Sequence, residues 1–121
     1  MAHDEVSLYD ASGDGVAYID ADGETIWTWE GEAVAYLADE HLYGWNGQHL
    51  GWWIDGRIYD ANGRAAGFRQ DRCPRMTSML RMKSMKSMRR MRSMQQMAPM
   101  RPMLSSATSD TDLLDLIRGG R

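Results

Sequence analysis

Between Met76 and Met103 a methionine stands at every third position of the chain, ten in all. On an α-helix each step of three residues rotates the side chain by about 300°, so these methionines would circle the helix instead of lining one face. A β-strand alternates with period two, and 3₁₀-helices rarely exceed four residues. Polyproline II has three residues per turn and needs no internal hydrogen bonds, so the repeat predicts this conformation.

Three prolines in or beside the repeat support this prediction, because proline fixes φ near the polyproline II value; they are Pro74, Pro99 and Pro102. A collagen triple helix is excluded, since no glycine lies between Phe68 and Gly119. Ordering about thirty residues costs at least as much free energy as burying ten methionines contributes. We therefore predict that residues 72–104 form an inter-chain bundle of three, four or more tails, with a core of Met76, Met79, Met82, Met85, Met88, Met91, Met94, Met97, Met100 and Met103.

Three other interpretations of the tail remain open. Met, Arg, Lys and Gln are good helix formers, which favours a plain α-helix. Thioethers bind soft metals such as Cu(I), although all three histidines of the chain precede the tail. A basic segment also binds nucleic acid or another polyanion through phosphate contacts, and the candidate residues are Arg75, Arg81, Lys83, Lys86, Arg89, Arg90, Arg92 and Arg101.

Charge is distributed unevenly along the 121 residues. Residues 1–71 contain fourteen Asp and Glu against three Arg, whereas residues 72–109 contain nine Arg and Lys and no acid. This leaves open whether the basic tail faces the acidic segment, solvent or a polyanion. A single cysteine, Cys73, excludes an internal disulfide and a cysteine-based zinc site within one chain. No segment has the apolar length of a signal-peptide core or a membrane span, which predicts a cytoplasmic protein without membrane contact.

Residues 1–71 contain four related units aligned on a glycine. Their sequences are YDASGDGVAY (9–18), WEGEAVAY (29–36), WNGQHLGW (45–52) and YDANGRAAGF (59–68). Each unit begins with Tyr or Trp and ends in a small residue followed by an aromatic, and the turn glycines are Gly13, Gly31, Gly47 and Gly63. These glycines lie 18, 16 and 16 residues apart, the length of a hairpin unit. We predict a mainly β domain of four antiparallel hairpins, in which each small residue lets a neighbouring group approach closely.

The chemically capable side chains of this segment indicate structure more than catalysis. The tryptophans are predicted to pack in the core and between subunits, with a ligand-stacking surface as the alternative. Aspartates stand in turn motifs where carboxylates accept backbone amides, at Asp10, Asp20, Asp22, Asp55 and Asp60. The sequence contains no nucleophile elbow, phosphate loop or zinc motif. We predict no enzymatic activity, no cofactor and no metal site.

Residues 105–121 are predicted to form a polar linker and a short helix. Ser109 or Asp110 is expected as the N-cap and Gly119 as the end. A helix of about nine residues does not persist alone in water. It should therefore dock on copies of itself or on the β domain, and we assign an oligomerisation role to the apolar residues that share one face, Leu113, Leu116 and Ile117.

The stretch VAYIDADGETIWTWEGEAVAYLADEHLYGWNGQHLGWWIDGRIYDANGRAAGF (16–68), followed by a basic triplet tail, resembles the four-fold β-flower domain family of bacteria. The resemblance implies a homotetramer with β-rich petals around a four-fold axis, tails associated as a polyproline II bundle, and no enzymatic activity. Family tails are richer in Pro and Leu, whereas methionine takes the apolar position here. We predict a non-catalytic scaffold or interaction protein that associates with itself, with polyanion or Cu(I) binding by the tail as the alternatives.

Overall fold

Eight short strands form the body of the protein. The computed structural model describes residues 5–73, 76, 85–86, 95, 97, 100, 102–104, 108–109 and 112–119. The strands are β1 (Val6–Tyr9), β2 (Gly15–Ile19), β3 (Thr25–Thr28), β4 (Ala33–Ala38), β5 (His41–Gly44), β6 (His49–Ile54), β7 (Arg57–Tyr59) and β8 (Ala65–Arg69). Each strand pairs antiparallel with its neighbour in sequence, and β8 pairs with β1 to close a barrel. The predicted mainly β, hairpin-based fold is confirmed, and the four-fold repetition is internal to one chain.

The four predicted turn glycines lie at equivalent hairpin turns, and each has a positive φ of 82° to 93°. At each turn the glycine N–H donates to the carbonyl three residues earlier, as Gly13 does to Asp10 at 3.0 Å. Aspartate carboxylates accept amides in these and neighbouring turns, as predicted for Asp10, Asp20, Asp22 and Asp60. Asp55 is different, because its carboxylate pairs with Arg57 and Arg72.

A β-bulge recurs at one position in every hairpin. The pairing register shifts beside the residue three positions after each turn glycine, and these residues are Val16, Val34, Leu50 and Ala66. In β4 the bulge lets the consecutive residues Val34 and Ala35 both reach the core. Bulges bend a strand and increase its twist, which a small closed barrel requires.

The barrel core is aliphatic and includes the C-terminal helix α1 (Leu113–Arg118). Leu113 and Ile117 are fully buried among core residues from the strands, including Leu8, Ile26 and Ile58. A Cβ built on Gly67, a small residue before a closing aromatic, would lie 2.6 Å from Leu113 Cδ1. The helix therefore docks on the β domain of its own chain, one of the two predicted positions, and Gly67 provides the predicted close approach.

The predicted N-cap of this helix is wrong. Asp112 occupies the N-cap position and the helix has only six residues, although Gly119 ends it as predicted. Ser109 instead forms hydrogen bonds to the barrel. Its amide donates to the Ala65 carbonyl at 2.7 Å, and its hydroxyl donates to the Asp60 carboxylate. These bonds tie the linker to the last hairpin before the helix begins. In the described part of the chain, no helix has the length and apolar character needed to cross a membrane.

Candidate functional site

Four pairs of aromatic residues lie side by side on neighbouring strands, one at each junction between repeats. The pairs are Tyr9 with Phe68, Tyr18 with Trp27, Tyr36 with Tyr43, and Trp52 with Tyr59. All eight rings are nearly completely buried. We call each pair, with the surface above it, an aromatic groove. The four grooves are the repeated feature of the outer wall.

The aromatic residue that closes each unit was predicted correctly from the sequence. The aromatic residue predicted to begin the unit was wrong in two of the four units. The equivalent partner lies four residues before the turn glycine, at Tyr9, Trp27, Tyr43 and Tyr59. The alignment instead began two units at Trp29 and Trp45, which lie two residues before their glycines. Those two indoles pack edge-on against Tyr18 and Tyr36, at 5.7 and 6.1 Å between ring centroids. Packing within the chain is thereby confirmed for these tryptophans.

Lys86 of the tail occupies the groove of Tyr18 and Trp27. Its Nζ lies 5.9 Å from the Tyr18 ring centroid and 5.5 Å from that of Trp27. The same atom donates to Asp20 Oδ1 at 2.9 Å and lies 3.6 Å from Glu5 Oε2. Trp27 also donates its indole N–H to the other oxygen of Asp20, at 3.0 Å. Two aromatic faces and two carboxylates thus surround one ammonium, an arrangement suited to a cation.

The pKa values in this groove follow from the contacts. Burial alone would raise the pKa of Asp20, but hydrogen bonds from Lys86, the Ala21 amide and Trp27 outweigh burial and lower it. The bond to Asp20 raises the pKa of Lys86, although burial opposes the shift. Burial raises the pKa of the Tyr18 phenol, which keeps this ring neutral beneath the ammonium. The groove therefore holds a carboxylate and an ammonium over a wide pH range.

The tail backbone touches the barrel at two equivalent turns. A Cβ built on Gly31 would clash with the Met85 carbonyl, and one built on Gly63 would clash with the Met103 carbonyl. Gly31 follows Trp27 by four residues, and Gly63 follows Tyr59 by four residues. In both hairpins, therefore, the turn glycine contacts the backbone carbonyl of a methionine of the triplet repeat.

Leu104 lies at the fourth hairpin, as Lys86 lies at the second. It follows Met103 as Lys86 follows Met85, and it packs against the cluster that contains Trp52, Tyr59 and Phe68. Ile54 belongs to the same cluster and lies two residues after Trp52, as Asp20 lies two residues after Tyr18. One groove thus contains an acid and a lysine, and the cluster around the equivalent pair contains an isoleucine and a leucine.

The third hairpin carries a histidine pair on its outer face. His41 Nδ1 lies 3.0 Å from His49 Nε2, and His49 packs edge-on against Tyr43 and Trp52. Burial and the charge of His41 lower the pKa of His49. At this separation one ring donates to the other, so the pair holds at most one mobile proton between the two nitrogens. Within the described residues, no group of three or more His, Cys, Asp or Glu side chains is placed to hold a metal ion.

The predicted site residues fall into three groups. Met76, Met85, Met97, Met100 and Met103 are each more than nine-tenths exposed in this chain; the other tail methionines lie outside the described residues. Of the predicted polyanion-binding residues only Lys86 is described, and it faces the acids of its own barrel. Leu113 and Ile117 are fully buried in that barrel, which leaves no apolar surface on them for a second copy, and Leu116 is half-buried.

A single-chain barrel of four bulged hairpins, with aromatic grooves at the junctions, defines the class of protein. The sequence profile of the 4-fold beta flower protein family matches residues 6–117, and the chain belongs to this family. The match confirms the resemblance seen in the sequence and extends through the tail and helix. No curated protein and no solved structure gives a significant match.

Proposed function

We propose that the protein is a non-catalytic, cytoplasmic interaction module that associates with itself through the exposed methionines of its tail. The observation that carries this proposal is the exposure of Met76, Met85, Met97, Met100 and Met103, each between 91 and 94%. A contiguous set of exposed apolar side chains marks an interaction surface, and a period of three would bring these methionines together on one edge of the tail. Methionine suits such a surface because its flexible thioether adapts to irregular partners.

The partner we propose is a second copy of the same chain, and the assembly is a homotetramer. Self-association agrees with the family description, although the four hairpins of each barrel already provide a four-fold repeat. The barrel therefore does not impose a copy number, which must come from contacts between tails. The absence of enzymatic activity is also part of the proposal. It is supported by the use of the Asp10, Asp22 and Asp60 carboxylates as acceptors for turn amides.

Native mass spectrometry at micromolar concentration tests this proposal. The wild type should be tetrameric. Replacing the five exposed methionines by glutamine should give a monomer with an unchanged far-ultraviolet dichroism spectrum, because glutamine keeps the side-chain length and removes the apolar character. The matched leucine variant should remain tetrameric. A monomeric wild type would refute self-association, and a tetrameric glutamine variant would refute the methionine surface.

A further inference from the structure

We propose that the Tyr18–Trp27 and Trp52–Tyr59 grooves are peptide subsites that the chain's own tail occupies in a fixed register, nine tail residues for each hairpin. Met85 meets Gly31 of the second hairpin, and Met103 meets Gly63 of the fourth. The two glycines are two hairpins apart, and the two methionines are 18 residues apart. Each hairpin therefore corresponds to nine tail residues, or three Met triplets.

The dimensions of the barrel agree with this register. Nine residues at about 3.1 Å each span ~28 Å, and four such spans would close a ring with a radius of ~18 Å. Eight tilted strands about 4.8 Å apart give a barrel backbone with a radius of ~8 Å. A further layer at the usual spacing of ~10 Å then lies at the radius of the ring. The 28 residues from Met76 to Met103 would therefore cover about three quarters of this ring, outside the aromatic residues.

The chemistry of these two grooves explains which side chain enters each one. Asp20 carries the charge that Lys86 requires, and Ile54, at the equivalent position, provides the apolar surface that suits Leu104. Gln95 lies nine residues after Lys86 and nine residues before Leu104, and it is exposed. The barrel residue at its hairpin that is equivalent to Asp20 and Ile54 is the small Ala38. The Tyr18–Trp27 groove is therefore an ammonium subsite, and the Trp52–Tyr59 groove is an aliphatic subsite.

The two lysines of the chain provide an internal test. Lys83 and Lys86 both follow a methionine directly, but only Lys86 is 18 residues before Leu104. Brief labelling of the full-length protein with an amine-reactive reagent should modify Lys86 about fivefold more slowly than Lys83, as for an ammonium in a partly exposed ion pair over aromatic rings. Asp20→Asn should remove this difference, whereas Asp14→Asn, at another turn, should keep it. Equal labelling of both lysines in the wild type would overturn the proposal.

Deleting one triplet, residues 89–91, separates this arrangement from a bundle of tails. The deletion keeps the methionine period, so a bundle of identical tails would keep its core. It breaks the nine-residue register, so Lys86 and Leu104 cannot both remain in their grooves. The bonds of Ser109 to Ala65 and Asp60 hold the chain beside Leu104, so Lys86 should be the residue that leaves, and its labelling should rise to the rate of Lys83. Protection that survives the deletion, with barrel dichroism unchanged, would refute the register. Labelling compares two lysines of one chain and does not depend on copy number, so it can fail independently of the native-mass experiment.

Discussion

Lys86 and Asp20 join segments 66 positions apart: the lysine Nζ lies 2.9 Å from the aspartate Oδ1. Tyr18 and Trp27 form the floor beneath the ammonium, and Glu5 lies at its side. At Lys86 the basic tail therefore meets the acidic barrel within one molecule. This contact has consequences for stability as well as for binding.

Removing the ammonium should weaken the protein slightly. Lys86→Met keeps most of the side-chain stem, and we expect a loss of about 0.5–1 kcal/mol in the free energy of unfolding, because the lysine is 40% exposed and its ion pair is screened by solvent. Lys83→Met is the matched control and should change stability by less than Lys86→Met. Urea titration of the three proteins measures the difference. An equal loss in both variants would contradict a specific role for Lys86.

The stabilisation by this pair should depend on pH at both extremes. The pKa of Asp20 is lowered in the folded state, so its contribution is complete above about pH 4 and disappears as the pH falls through the folded-state value. The pKa of Lys86 is raised, so its contribution is complete below about pH 10 and disappears as the pH rises through its own folded-state value. The difference in the free energy of unfolding between wild type and Lys86→Met should therefore be constant between about pH 4 and about pH 10. Urea unfolding at a series of pH values measures it.

Two glycines at the same place in the repeat should respond differently to alanine. A Cβ on Gly51 would clash with the Tyr59 carbonyl of the backbone, whereas a Cβ on Gly67 would meet the end of the Leu113 side chain. Equivalent positions in the first two hairpins are already alanines, Ala17 and Ala35. We expect Gly67→Ala to cost about 1–2 kcal/mol and Gly51→Ala more, since a backbone oxygen cannot move aside. Denaturant midpoints would give the order, and the reverse order would contradict the packing.

The helix should contribute to the stability of a single chain. Leu113→Ala and Ile117→Ala each remove a fully buried side chain from the barrel core, so we expect losses of about 2–5 kcal/mol. Leu114→Ala is the control within the same helix and should cost less, because Leu114 is only half-buried. Where these variants still fold, native mass spectrometry should find the wild-type copy number. A monomer obtained without loss of stability would instead support the oligomerisation role predicted for these residues.

The histidine pair should give stability a second pH dependence. Because burial and the nearby His41 lower the pKa of His49, the stability associated with His49 is complete above its ordinary value of about 6.5 and is lost as the pH falls through the folded-state value. His41→Gln should raise the pKa of His49 by removing the competing charge. Titration of the imidazole signals by nuclear magnetic resonance would measure this shift. A pKa for His49 that did not change would contradict the proximity of the two rings.

The hairpins were predictable because their signals are local. Glycine at a positive φ and aspartate in the turn depend on a few adjacent residues, and four such turns indicated four hairpins. The closed barrel was not predictable in the same way, since the pairing of Tyr9 with Phe68 joins the ends of the domain. The aromatic pairs were partly obscured, because Trp29 and Trp45 add aromatic residues beside the true repeat position.

The tail was only partly predictable for a different reason. A period of three indicates which side chains share an edge of an extended chain, but not which edge faces the protein. Because methionine is hydrophobic, it was predicted to form the buried edge of the tail. At Met85 and Lys86, however, the methionine is exposed and the lysine enters the groove. Aromatic faces combined with carboxylates attract an ammonium more than a thioether. Whether the exposed methionines meet those of other copies stays a prediction.

The pairing of β1 with β8 also determines the order in which this molecule can fold. Each hairpin closes a short loop and can form early, whereas the last seam must bring together Leu8 and Arg69, which requires a much longer loop. During synthesis this seam cannot form before Arg69 has been made, and the core remains unfilled until Leu113 and Ile117 follow. A nascent chain therefore exposes its apolar interior until the helix Leu113–Arg118 has been made, and docking of this helix is the step that completes the core.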